Sequence, residues 1–193
     1  MQIQPVDQEG GLWQVSQCVP QAILDQIQAV DWSRLTGRPQ QGQESYPRLC
    51  YDAALVCPQL DPYLSQRRDL IAAAVGSAID PVVSTVFWVD EPGLDAWFQR
   101  PHLDNCRVHL VMQLYWSDHQ DQAGTRFYHD SAGQEPRHTF PYRSNSGYLM
   151  RNGPKAWHQV SGPVRAPTRV SSYTYWGITP GQRWQQRGCT VEK

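Results

Sequence analysis

From about residue 80 onward, short runs rich in β-branched and aromatic residues alternate with Gly, Pro and Asp. The runs cover 82–89, 107–116, 124–128, 148–151 and 169–178. Runs of this length between turn residues predict antiparallel strands at hairpin spacing and exclude a βαβ repeat. The part before them has a different texture. Pro20 opens a helix carrying Ile23, Leu24, Ile27 and Val30 at helical spacing, ended by residues 32–35. A second helix is expected over 61–78, with Leu64, Leu70, Ile71 and Val75 inward and Gln66, Arg67 and Arg68 outward. Residues 36–45 are dominated by Gly, Pro and Gln and form a loop. Leu12, Trp13 and Val15 give residues 1–18 the apolar content of an added edge strand. Helices first and strands after predict an α+β domain with its helices packed on one sheet.

A length of 193 residues suits one domain with a substantial core. The expected organisation is a single unit over 1–193, helical over about 1–79 and stranded over about 80–180. Charged residues make up 18% and the net charge is −1, so no broad attraction to nucleic acid or anionic lipid follows. The opening residues lack the basic and apolar regions of a signal peptide, and no run of about 18 apolar residues suggests a membrane helix. Cys18, Cys50, Cys57, Cys106 and Cys189 are scattered, odd in number and contain no Cys-x-x-Cys pair. That pattern argues against a thiolate zinc site or a disulfide framework. A reduced, cytoplasmic protein is the expectation.

His102 and Asp104 lie two residues apart, so on an extended segment both side chains leave the same face. A distant His158 would complete one face of an octahedron around a metal. Two neutral imidazoles and one anionic oxygen suit Fe(II), and two histidines with one carboxylate are the ligand set of non-haem Fe(II) oxygenases. Such a centre keeps a net charge of +1, which attracts an anionic cosubstrate. Zinc on the same ligands, in a hydrolase or cupin-type isomerase, is the competing reading. Of the other histidines, His109 reads as a satisfied core residue, and His119, His129 and His138 as exposed.

The order and context of these residues resemble the 2-oxoglutarate/Fe(II)-dependent oxygenases, and in particular their prolyl 4-hydroxylase-like branch. The resemblance covers 80–178. Trp88 to Gly93 resembles the strand and turn leading into the site, and Pro101-His102-Leu103-Asp104 the HxD motif. Residues 107–116 resemble the next strand, with Tyr115 near its end. Ala123-Gly124-Thr125-Arg126-Phe127 resembles the Gly-Gly-x-Thr-x-Phe segment, with Ala in place of the first Gly. Trp157-His158-Gln159-Val160 through Thr168-Arg169 resembles the His-x-Val segment and its arginine.

The resemblance implies a double-stranded β-helix (jelly roll, cupin-like) with N-terminal helices on its major sheet. It implies His102, Asp104 and His158 as the metal and catalytic residues. Fe(II), 2-oxoglutarate and O2 would be the cofactors, with succinate and CO2 as coproducts of hydroxylation. The presence of Asp104 argues against halogenation, whose enzymes lack this carboxylate. Arg169, 11 residues past His158, would hold the far carboxylate of 2-oxoglutarate as a bidentate fork, with Arg165 as its rival in a proline-flanked loop. On the strand 107–115, alternation groups Val111, Gln113 and Tyr115 on one face, and Tyr115 is the expected second cosubstrate contact. Ser171 shares the strand face of Arg169 and is a third. Trp88, Trp97, Arg126 and Tyr128 are candidate substrate contacts at the rim.

The substrate would be an amino acid, a peptidyl residue such as proline, or a small metabolite. A nucleic-acid demethylase of the same superfamily is disfavoured by the near-neutral charge and by Tyr175, where that branch would place a second arginine. A non-catalytic metal-binding jelly-roll module is the remaining alternative.

Overall fold

The computed structural model describes residues 1–39, 48–90, 101–104, 110–117, 124–160 and 168–178. Its strands form two antiparallel sheets. The major sheet has the spatial order β1 (Gln2–Asp7), β2 (Leu12–Ser16), β9 (Ser146–Arg151), β6 (Leu110–Tyr115), β11 (Arg169–Ile178), β5 (Ile79–Asp90), β4 (Arg48–Asp52) and β3 (Arg38–Pro39). The minor sheet has the order β10 (Trp157–Val160), β7 (Thr125–Tyr128) and β8 (Pro136–Phe140). This is the expected double-stranded β-helix, with helices on the outer side of the major sheet.

Two apolar layers follow from strand alternation. On the outer face, Trp13, Val15, Phe87, Val89, Leu114, Trp116 and Leu149 pack against the helices. Those helices are α1 (Gln21–Gln28), α2 (Ala53–Val56), α3 (Leu60–Gln66) and α4 (Arg68–Val75). On the inner face, Leu12, Val111, Tyr115, Tyr148 and Met150 meet Phe127 and Phe140 of the minor sheet. Aromatic rings make up much of this inner layer.

The helix expected over 61–78 is two helices meeting at Arg67, whose φ of −94° and ψ of 3° leave the helical region. Gly76 ends the second in a left-handed conformation, φ 68°, one turn's fraction short of the expected end. Leu64, Ile71 and Val75 point inward as expected, whereas Leu70 is 46% exposed. Ile71 and Val75, four residues apart, define the buried stripe, and Leu70 sits about 100° round the helix from Ile71. The N-terminal segment contributes a hairpin, β1 with β2, rather than one strand, and β2 pairs with β9. The sequence reading did not single out β4 or β8, which lack a β-branched run.

Register sorts the inner face of the major sheet into rows, because directly opposed residues in antiparallel strands share a face. Arg48, Asp90 and Arg169 form the first row. Trp88, Ser171 and Tyr115 form the second, and Tyr173, Gln113 and Tyr148 the third. The close approach of β9 to β6 next to this third row depends on Gly147, which opposes Leu114. A Cβ there would lie 1.9 Å from the carbonyl oxygen of Gln113.

Candidate active site

His158 lies on β10, and the segment 101–104 runs antiparallel beside it. The His102 N–H donates to the His158 carbonyl at 2.9 Å, and the His158 N–H returns the bond at 3.0 Å. This paired bridge extends the minor sheet and aims both rings the same way, with centroids 4.5 Å apart. Asp104 follows two residues later, its Oδ1 3.7 Å from His158 Nε2. The ligand atoms of His102, Asp104 and His158 all lie within 4.8 Å of one another. The three residues paired in sequence with metal chemistry are therefore brought together.

His158 Nδ1 lies 2.9 Å from the Ala156 carbonyl. A carbonyl can only accept, so Nδ1 carries the proton and Nε2 presents its lone pair to the other two ligands. The Phe127 ring stacks on His158 at 5.5 Å and holds it in place. Among the described residues Asp104 Oδ2 is buried with no hydrogen-bond partner, an arrangement that a cation would relieve. Two imidazoles and a carboxylate with this pre-set tautomer fit a divalent first-row metal. His158 is buried, Asp104 half-buried and His102 exposed, so one side of the centre opens outward.

The Gly124-Thr125-Arg126-Phe127 segment divides its tasks by alternation. A Cβ at Gly124 would sit 2.0 Å from the Phe140 carbonyl oxygen, so the strand entry requires glycine. Thr125 and Phe127 face inward, toward Tyr115 and His158 respectively. Arg126 and Tyr128 alternate to the opposite face, paired with Gln159 and Trp157. Tyr128 is buried there and accepts from Gln159 Nε2. Neither of these two rim candidates therefore joins His158 on the metal side.

Arg169 is fully buried at the start of β11. Its Nη1 donates to Asp90 Oδ2 at 2.8 Å and to Ser171 Oγ at 3.2 Å. The guanidinium lies over the rings of Tyr115 and Tyr142, at 5.5 and 5.4 Å. Arg48 grips the same aspartate from the other side, Nε to Oδ1 at 2.5 Å and Nη2 to Oδ2 at 3.1 Å. Burial works against the Asp90 charge, but the two guanidinium groups outweigh it and hold its pKa below the ordinary carboxylate value. Burial likewise opposes the Arg169 charge, and Asp90 raises its pKa despite that. The row sets one carboxylate between two guanidinium groups.

Tyr115 and Ser171 lie in the next row, as their strand faces predict. The Tyr115 hydroxyl is 2.8 Å from Thr125 Oγ1, and its pKa is raised by burial. Trp88 is half-buried beside them, edge-on to Tyr173 at 6.5 Å and under the Arg48 guanidinium at 5.1 Å. Burial pushes the Tyr173 pKa up to about 12. His129 is exposed as expected, but His138 is half-buried, its ring 4.4 Å from that of Phe140. Trp97, His109, His119 and Arg165 lie outside the described residues.

Sequence reasoning did not find Asp90 and Arg48. The pairing of β4 with β5 brings them together, and β4 carries no strand signature.

No family model matches the chain, and no curated protein matches it. Solved structures do. A prolyl-4-hydroxylase from Pseudomonas putida superposes with a TM-score of 0.64 at 17% identity, covering 88% of this chain and 94% of its own. A prolyl hydroxylase from Trichoplax adhaerens, in complex with a hypoxia inducible factor peptide fragment, gives 0.65 at 10% identity, covering 88% and 84%. HygX from Streptomyces hygroscopicus, with nickel, 2-oxoglutarate and hygromycin B bound, gives 0.59 at 13%, covering 91% and 86%. The fold is thus that of the 2-oxoglutarate/Fe(II) oxygenases, prolyl hydroxylases among them.

Proposed function

We propose that this chain is an Fe(II)- and 2-oxoglutarate-dependent dioxygenase that hydroxylates a C–H bond of an amino acid, a peptidyl residue such as proline, or a small metabolite. One observation carries the reading: the His102, Asp104 and His158 ligand atoms within 4.8 Å of one another, in a barrel whose inner face also holds the buried Arg169. Charge supports it. A divalent ion on His102, Asp104 and His158 has a net charge of +1, which suits one end of a dicarboxylate, and the buried guanidinium of Arg169 suits the other.

In this reading His102, Asp104 and His158 hold the metal, and the Ala156 carbonyl keeps His158 in the binding tautomer. Arg169 and Ser171 take the far carboxylate, with Tyr115 beside them. The bound iron and 2-oxoglutarate supply the oxidising chemistry, with O2 consumed and succinate and CO2 released. The apolar inner layer around Phe127 and Tyr148 excludes water from that chemistry. The exposed side of His102 leaves room for the substrate. Neighbours of the same fold carry a peptide in one case and hygromycin B in another, which supports a peptide or small-molecule substrate.

Anaerobic titration of purified protein with Fe(II) and 2-oxoglutarate tests the reading. A visible charge-transfer band requiring both components, followed by succinate on adding O2, is the expected result. A folded sample giving neither band nor succinate would turn the assignment to a zinc site or a non-catalytic barrel.

A further inference from the structure

Gln113 is fully buried on the inner face, in the row between Tyr173 and Tyr148. Its Oε1 accepts from Tyr148 Oη at 2.5 Å and from Thr125 Oγ1 at 3.1 Å, and Thr125 Oγ1 in turn meets the Tyr115 hydroxyl at 2.8 Å. This directs the hydroxyl protons along a chain that ends on one carboxamide oxygen. Turning the amide over would strand hydroxyl protons without an acceptor, so the network fixes the orientation. Among the described residues the Nε2 group is left buried with no hydrogen-bond partner. A buried, unsatisfied NH2 is costly, and it is retained where something else supplies the acceptor.

Position identifies that acceptor. The row holding Gln113 lies two residues further along β6 and β11 than Tyr115 and Ser171, away from Arg169. Toward the other side, Tyr148 contacts Phe127, whose ring lies on the metal-ligand candidate His158. Gln113 therefore stands between the arginine row and the metal ligands, along the path of any molecule spanning the two. We infer that the Gln113 carboxamide NH2 is a binding donor for a carboxylate oxygen of the spanning 2-oxo dicarboxylate, an inference that rests on the proposed function. Three hydroxyl-bearing residues, Tyr115, Thr125 and Tyr148, orient the amide for this role.

Gln113→Glu separates this role from simple packing. The introduced carboxylate still accepts both hydroxyl bonds, but it removes the donor and sets an anion against the cosubstrate. With Fe(II)-loaded protein under anaerobic conditions at pH 8, 2-oxoglutarate is titrated while the charge-transfer band is followed. The half-saturating concentration should rise about tenfold or more in the variant, while the absorption titration with Co(II) alone stays as in the wild type. Gln113→Met, close in volume and apolar, should also weaken 2-oxoglutarate binding, and it carries the test if the acidic variant does not retain its melting temperature. Wild-type 2-oxoglutarate binding in either folded variant overturns the inference and leaves the proposed function standing. Absence of any band in the wild type overturns both.

Discussion

Arg169 Nη1 and Asp90 Oδ2 are 2.8 Å apart, and neither side chain has any exposure to solvent. The pair does not cancel itself, because Arg48 holds the other edge of the same carboxylate. Asp90 is therefore held between two guanidinium groups. Its removal and the removal of Arg169 should have unequal consequences. Asp90→Ala leaves two buried like charges facing each other, a loss of about 3–5 kcal/mol on the scale of broken buried pairs. Arg169→Ala leaves the Arg48–Asp90 pair intact and should cost clearly less. Urea unfolding of the two variants decides the point, and equal losses would contradict the shared-aspartate arrangement.

The same arginine should matter to the cosubstrate more than its sequence neighbour does. Arg169→Ala should raise the 2-oxoglutarate concentration needed for half-maximal succinate formation by about tenfold or more, the scale of a lost charge-assisted bond. Arg165→Ala should change it far less. The reverse order in coupled assays would misplace the anchor.

Asp104 makes no packing contribution to either apolar layer. Asp104→Ala should abolish 2-oxoglutarate turnover while keeping the melting temperature within about 2 °C of the wild type. Succinate production at the wild-type rate would remove Asp104 from the ligand set.

What could be read from sequence was what local spacing encodes. The interval of two between His102 and Asp104 put both on one face, and alternation put Gln113 with Tyr115 and Ser171 with Arg169. All of these placements follow from a period of two, which needs no knowledge of pairing. Long-range pairing was not legible. Asp90 meets Arg48 only because β4, a strand with no β-branched run, lies against β5 in that register. The same limit applies to Arg126 and Tyr128. Both are rim candidates by sequence, yet alternation turns them away from the face that His158 shares with Phe127. The unsatisfied amide of Gln113 is likewise a product of tertiary contacts, since Thr125 and Tyr148 reach it from separate strands.

Acid should expose the contribution of the arginine row. The Asp90 pKa lies below its ordinary value of 3.8, because Arg48 and Arg169 together outweigh the cost of burial. A carboxyl with a depressed folded-state pKa binds protons more readily in the unfolded chain, so its contribution is complete above 3.8 and declines as pH falls through the lower, folded value. Between neutrality and about pH 5 this group should add no pH dependence of its own to stability. Below 3.8 the wild type should lose stability more steeply than Asp90→Asn, which has no carboxyl to protonate and carries its deficit at every pH. Thermal melts of the two proteins from pH 7 down to about pH 3 should therefore converge on the acid side. Curves that stay parallel across that range would mean that Asp90 titrates normally, and that the two arginines do not stabilise its charge.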